Sequence, residues 1–406
     1  MPSAVHNSSG NLTVSDSAGL TPSGVIRIDN EDMQIDSVSG NVLRVNRAWS
    51  GSSPVAHASG APVKITGTIL TINGRYTNYS DLVITDSNAI RTENRDAKLH
   101  GTGVNVYGPN VKVINNIIHD TGQGVGFWVQ AVDSEAYGNI IFNNGYQNAN
   151  IAVGSDNWIN GHGIYTQNDK GLKTISDNIV FNQYGLGIHA YSTASVLNNF
   201  LIKGNIHFND RFLIGGHTPV TNTTLEENYF YNGALSIGYS NANNDGITIR
   251  NNYLADGLSL QLSKNITVTG NTIWGWTRAN NAIGVSIDLN GTDNKITDYS
   301  FDNNTYYQPT ESYPYHQFSI SRLANSCGSY FWFNRNSKGF GYGNCTSNSW
   351  QENLGYDLNS TLIPSSPTET KSFVRPNKYD ATRAHVIIYN WGKQNTVTVD
   401  LSGTQF

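Results

Sequence analysis

The feature that most constrains this chain is a short internal repeat. Asn before an apolar residue recurs in NNII at 115–118, GNII at 138–141, DNIV at 177–180, GNIH at 204–207, ENYF at 227–230, NNYL at 251–254 and GNTI at 270–273. The asparagines are Asn116, Asn139, Asn178, Asn205, Asn228, Asn252 and Asn271. A second series keeps pace with it from Gly103 to Gly284: GVNVYG, GFWVQA, GIYTQN, GIHAYS, LIGGHT, SIGYSN, SLQLSK and GVSIDL. Two independent markers stepping by about 24 residues predict one solenoid coil per repeat. A βαβ unit needs about 30 residues or more, so a helix does not fit within each step. Short strands punctuated by Gly and Asn turns fit a parallel β-helix instead. Asn tolerates the left-handed turn conformation and can hydrogen-bond from coil to coil, so its recurrence is read as structural.

Composition narrows the partners. Of 406 residues only 14% are charged and the net charge is -5, which lacks the basic footprint that a nucleic acid requires. No stretch reaches the roughly 18 apolar residues of a membrane span. Tyr (22) outnumbers Phe (14) and Trp (8), which predicts rings with wet polar edges. The opening MPSAVHNSSG lacks a charged-then-apolar layout. Either a signal has already been removed from a secreted or cell-surface protein, or the protein leaves its cell another way, as phage particle proteins do. Cys327 and Cys345 flank an aromatic stretch that alternates like a hairpin; a disulfide and two buried thiols are both compatible with it. Metal-ligand spacing is absent. No cofactor is expected, with a structural or catalytic Ca2+ left open.

HGTGVNVYGPNVKVINNIIHDTG, GHGIYTQN and VFNQYGLGIHAYS resemble the coils of right-handed parallel β-helix proteins of the pectate-lyase-like superfamily. The resemblance covers about residues 68 to 305 and implies an all-β, right-handed parallel β-helix of carbohydrate-active type. The motifs of the well-known pectate lyase, polygalacturonase and alginate-lyase sites are not evident. Residues 1–67 read as a small N-terminal β module with SG and GS turns, similar to modules of phage tail and secreted proteins. Residues 306–406 lose the Asn marker and read as a β-rich C-terminal cap, sandwich-like and truncated after the strand TVTVDLS.

Strand alternation separates core from surface. Aligned on the residue after the Gly, the inward set is Val104, Phe127, Ile164, Ile188, Ile214, Leu260 and Val285. The outward set is Asn105, Trp128, Tyr165, His189, Gly215, Gln261 and Ser286, followed two residues on by Tyr107, Gln130, Gln167, Tyr191, His217, Ser263 and Asp288. A face of aromatic, imidazole and amide groups, repeating at roughly 4.8 Å per coil, suits an extended sugar chain. The coil after Gly126 is about 13 residues too long, which predicts a functional loop at 146–160 bringing Asp156 and Trp158 towards this face. His162 stands where that loop re-enters the strand, closing the turn or taking part in chemistry.

Two chemistries fit such a face. β-Elimination on a uronic-acid polymer needs a base, a proton donor and cations for the carboxylate. His189 is the expected base, Tyr165 or Tyr191 the donor, Lys170 and Arg211 the cations. Hydrolysis needs two carboxylates about 5 to 10 Å apart. Asp120, Glu135, Asp156, Asp169 and Asp210 are available, without a spacing that pairs two of them on adjacent outward columns. The expectation is therefore a polysaccharide lyase, with substrate held by Trp128, Gln130, Trp158, His162, Gln167, Arg211 and His217. A glycoside hydrolase and a non-catalytic glycan- or phage-receptor-binding β-helix are the rivals. The partner is a polysaccharide or glycan, and a monomer is expected rather than a trimer.

Overall fold

The computed structural model describes residues 6–402 apart from 7, 18–19, 21, 23, 50–51, 66–67, 87–90, 94–99, 149–158, 196, 240–241, 276–281, 290–295, 308–314, 322–329 and 332–349. Asp156, Trp158, Cys327 and Cys345 lie outside the described residues.

The chain is a parallel β-helix built from three long sheets. The first sheet stacks, in chain order, strands that include Thr102–Val106, Gln123–Phe127, His162–Thr166, Leu186–Ala190, Arg211–Ile214, Leu235–Ile237 and Leu258–Gln261. The second includes Lys112–Ile114, Glu135–Tyr137, Lys173–Ser176 and Phe200–Lys203; the third includes Ile117–His119, Ile140–Phe142, Ile179–Phe181 and Ile206–Phe208. Each coil visits the three sheets in turn, so every strand pairs with its counterpart one coil away. The inward residues expected from alternation, Val104, Phe127, Ile164, Ile188, Ile214, Leu260 and Val285, are all fully buried in one continuous core.

Asparagines form a ladder at the corner between the second and third sheets. The side chain of Asn116 donates to Asn139 Oδ1 at 3.0 Å, Asn139 to Asn178 at 2.8 Å, Asn178 to Asn205 and Asn205 to Asn228 at 3.0 Å. The ladder runs on through Asn252, Asn271 and Asn304 to Asp357, which caps it at 3.0 Å. The left-handed backbone falls one residue earlier than expected, on Asn115, Gly138, Asp177, Gly204 and Glu227, all with φ between 55° and 67°. The preceding residue turns the chain, which frees each ladder asparagine to bond its neighbours. Its Oδ1 accepts both the backbone and the side-chain N–H of the asparagine one coil before.

The coils run beyond the expected boundary at 305. Tyr315–Ser321 pairs in parallel with Ala282–Asp288, and Thr361–Ile363 with Thr305–Tyr307. Among the described residues the C-terminal part shows no sandwich; Lys371–Pro376 forms an antiparallel hairpin with Ala384–Tyr389, and Tyr330–Phe331 pairs antiparallel with Tyr315–Ser321. TVTVDLS alternates but pairs with no strand among the described residues. The hairpin lies along the β-helix. Arg375 bonds Glu227 at 3.0 Å and pairs with Asp177, while Lys378 reaches Glu135 at 2.8 Å. Phe373, Tyr389 and Trp391 cover Tyr229 and Tyr253 of the third sheet. The N-terminal residues form a separate five-stranded antiparallel sheet over Leu12, Ile26, Ile28, Met33, Ile35 and Leu43. Its buried Glu31 bonds Arg47, His57 and the backbone of Val55 and Ala48; against the cost of burial these hold its carboxyl down to about 2. Among the described residues, no helix is long and apolar enough to cross a membrane.

Candidate functional site

The outward side of the first sheet carries an aromatic strip across successive coils. Tyr107 stacks on Trp128 with centroids 6.0 Å apart, and Trp128 lies 5.5 Å from Tyr165. Tyr165 contacts His162 at 5.6 Å, His189 at 5.8 Å and Tyr191 at 6.4 Å. His189 packs 4.9 Å from Tyr191, and His217 and Tyr239 extend the strip at 5.8 and 6.0 Å from Tyr191. Tyr239 is 45% exposed. In its motif SIGYSN the ring stands fourth, a position that strand alternation assigns inward; Gly238 before it has φ 97°, which breaks the alternation.

Register corrects two columns. Gly126, rather than Trp128, stands beside Tyr165, because Val125 pairs with Ile164. Trp128 lies one pleat further along, in line with Gln167 and Tyr191. In QGVGFW either glycine could mark the strand, and the structure aligns Gly124 with Gly163: a Cβ on Gly124 would meet the Gly163 carbonyl at 2.4 Å. A slip of two residues keeps side chains on their face, so Trp128 still points outward. Likewise Leu213 stands beside His189 after a register shift, which moves Gly215 next to Tyr191 and leaves His217 beyond the strand. Ser259, rather than Gln261, pairs with Ser286, and Ser263 opens a second-sheet strand.

Hydrogen bonds fix the strip. Trp128 donates its indole N–H to Asn105 Oδ1 at 2.7 Å. A Cβ on Gly126 would meet that same Oδ1 at 2.2 Å, so the bare glycine makes room for the pair. Gln167 donates to Tyr165 Oη at 3.4 Å and to the Tyr191 carbonyl at 3.2 Å. Beneath the strand Leu186–Ala190, at the corner that feeds the first sheet, a second ladder links Thr121, Asn144, Gln183 and Asp210 at 2.7, 3.0 and 3.1 Å. Its mixed residue types hid it from a search for repeats. It ends on the buried pair His207–Asp210 at 2.8 Å.

Charge states follow from burial. His162 is half-buried and burial pulls its imidazole down to about 4. His189 is 9% exposed; burial, then His162 and Arg211, lower it to about 2. Burial raises the phenols of Tyr165 and Tyr191, which therefore stay protonated at neutral pH. His162 accepts the backbone N–H of Leu186, its strand partner one coil on, at Nδ1 at 3.2 Å, so this bond links coils rather than closing the turn. Arg211 begins the strand after His189 and is exposed. Lys170 and Gln130 lie apart from the imidazoles, lining a shallow depression with Asp169, Pro109, Val129 and Val132.

Of the other carboxylates, Asp120 pairs with Arg91 and His119, Glu135 with Lys378, and Asp210 with His207. Asp169 is exposed at the edge of the strip. A cleft between the hairpin and the second sheet holds Glu135, Asp177, Lys203, Arg375 and Lys378. Lys378–Glu135 and Arg375–Asp177 bond across the cleft and anchor the hairpin, while Lys203 pairs with Glu226 within the second sheet. Among the described residues no group of His, Cys, Asp and Glu is placed to hold a metal ion.

No family model matches the chain, and no curated protein matches it. Solved structures similar to it include a mannuronic acid specific polysaccharide family 6 lyase from human gut microbiota, at 13% identity and TM-score 0.37, over 66% of this chain and 73% of that one. The Dettilon tailspike is similar at 14% identity and TM-score 0.35, over 76% and 68%. The tailspike of Acinetobacter baumannii bacteriophage AP22, solved with capsular saccharide, is similar at 10% identity and TM-score 0.27, over 92% of this chain and 66% of that one. The likeness is one of fold.

Proposed function

We propose that this chain is a carbohydrate-active β-helix protein that holds an extended polysaccharide along the first sheet and cleaves it by elimination beside a uronic acid. The unbroken run of rings from Tyr107 to Tyr239 carries the reading. Rings present faces to the apolar faces of sugars, and their spacing from coil to coil suits a chain rather than a compact ligand. Such a substrate places the protein outside the cell or on a phage particle.

In the elimination, the proton on the carbon beside the carboxylate passes to a base. The electron pair forms the new C=C bond as the C–O bond breaks, and the leaving oxygen takes a proton. Tyr165, with its phenol held protonated, serves as the donor. Arg211 supplies positive charge for the carboxylate, with Lys170 further along. In this reading the base is His189, which stands next to Tyr165. Hydrolysis is disfavoured because Asp120, Glu135 and Asp210 are engaged elsewhere. A second reading, binding without cleavage, is favoured by the strong depression of His189, which makes it a weak base.

Incubation with alginate, polygalacturonate, glucuronan and glycosaminoglycans separates these readings. Unsaturated ultraviolet-absorbing ends support elimination, and reducing ends without unsaturation select hydrolysis. Retention on a glycan without product selects binding alone. Neither retention nor product on any polymer overturns the proposal.

A further inference from the structure

His162 opens the strand His162–Thr166, and His189 stands one coil further on, beside Tyr165. Because the Leu186 N–H donates to His162 Nδ1 at 3.2 Å, that nitrogen carries a lone pair. The single proton of a neutral imidazole then lies on Nε2. His162 Nε2 is 3.4 Å from His189 Nδ1, with the two rings nearly perpendicular at 72°. His162 therefore donates, His189 Nδ1 accepts, and the proton of His189 falls on its own Nε2. That Nε2 is buried and has no hydrogen-bond partner among the described residues. An unpaired buried donor is costly, and an acceptor brought by a ligand would recover that cost.

We propose that His162 is a positioning residue that locks the tautomer of His189, so that His189 presents Nε2–H to a carboxylate oxygen of the bound glycan. This rests on the first sheet being the glycan face. A carboxylate is the acceptor because Arg211 adds positive charge beside His189, and an ionised acceptor makes the stronger bond. His189 then recognises the uronate rather than taking its proton, since its accepting lone pair is occupied by His162, and this favours the reading of binding without cleavage over elimination by His189.

Long-range 15N spectra of histidine-labelled, ligand-free protein at neutral pH read the tautomer without any sugar. Wild type and His162→Gln, whose amide can both accept from Leu186 and donate onward, are expected to show His189 protonated on Nε2 alone. His162→Phe, which retains a ring, is expected to show both tautomers. An Nδ1-protonated or mixed His189 in wild type overturns the lock. Binding of oligouronates is then compared with that of the same oligosaccharides after carboxyl reduction. Wild type is expected to favour the acidic form by about tenfold or more, and His189→Phe to lose that preference. Equal binding of both forms by wild type overturns the carboxylate assignment and leaves the glycan face standing. Binding of neither form overturns both the glycan face and the recognition role, while the tautomer is judged by the spectra alone.

Discussion

The ammonium of Lys173 donates to the carbonyl of Trp128 at 2.6 Å from inside the β-helix. It also reaches the Gln167 carbonyl at 2.8 Å and lies 4.7 Å from the Phe127 ring centre. Lys173 is fully buried, and burial lowers its amine to about 7. The contacts tie a second-sheet side chain to the strand ends that carry Trp128 and Gln167.

Lys173→Met leaves those carbonyls unpaired inside the stack. We expect a loss of about 3 kcal/mol in urea unfolding, together with weaker oligosaccharide binding by the folded fraction. An unchanged unfolding midpoint would count against the role.

Trp128 is the largest ring of the strip. Trp128→Ala should weaken oligosaccharide binding by about 2 kcal/mol, roughly thirtyfold, read by titration calorimetry. Gly126→Ala should act in the same direction, because its Cβ would meet Asn105 Oδ1 at 2.2 Å and Trp128 Nε1 at 2.9 Å. Binding that survives both changes would move the glycan to another face.

Asn205 sits mid-ladder, accepting from Asn178 and donating to Asn228 at 3.0 Å. Asn205→Ala orphans buried groups on both sides and should cost about 3 kcal/mol. Asn359, an exposed asparagine with ordinary φ that donates to Asp302 Oδ2 at 2.8 Å outside the ladder, is the control: Asn359→Ala should change stability by less than about 1 kcal/mol. Equal effects of the two substitutions in chemical denaturation would refute the ladder's energetic role.

Acid should weaken the fold in two stages. His162 and His189 are depressed to about 4 and about 2 by burial, and burial lowers His385 as well. Below the ordinary imidazole value of about 6.5 the unfolded chain takes up protons that the folded chain refuses, so stability falls as pH drops. Glu31, held to about 2, adds its loss only as pH falls below the usual carboxylate range. Urea midpoints should therefore already decline between about pH 7 and 5, and the double substitution His162→Phe with His189→Phe should flatten that portion. A midpoint that rises towards pH 5 would contradict the buried, neutral imidazoles.

The architecture was legible because its causes are local and repeated. Each coil needs a turn and a corner asparagine, so Asn116 to Asn271 mark the period in the chain itself. Alternation assigns Ile164 inward and Tyr165 outward whatever the exact register, since a slip of two preserves the face. Contacts between coils were decided only by tertiary structure, because they depend on register across about 24 residues or more of intervening chain. Gly124 rather than Gly126 sets the alignment, and that choice moves Trp128 from beside Tyr165 to beside Gln167. A lysine is rarely buried, so Lys170 drew notice while Lys173 holds the strand ends from within. The sequence shows His162 and His189 as two separate imidazoles. Stacking places Nε2 of one against Nδ1 of the other, and the Leu186 N–H then determines which nitrogen of each holds the proton.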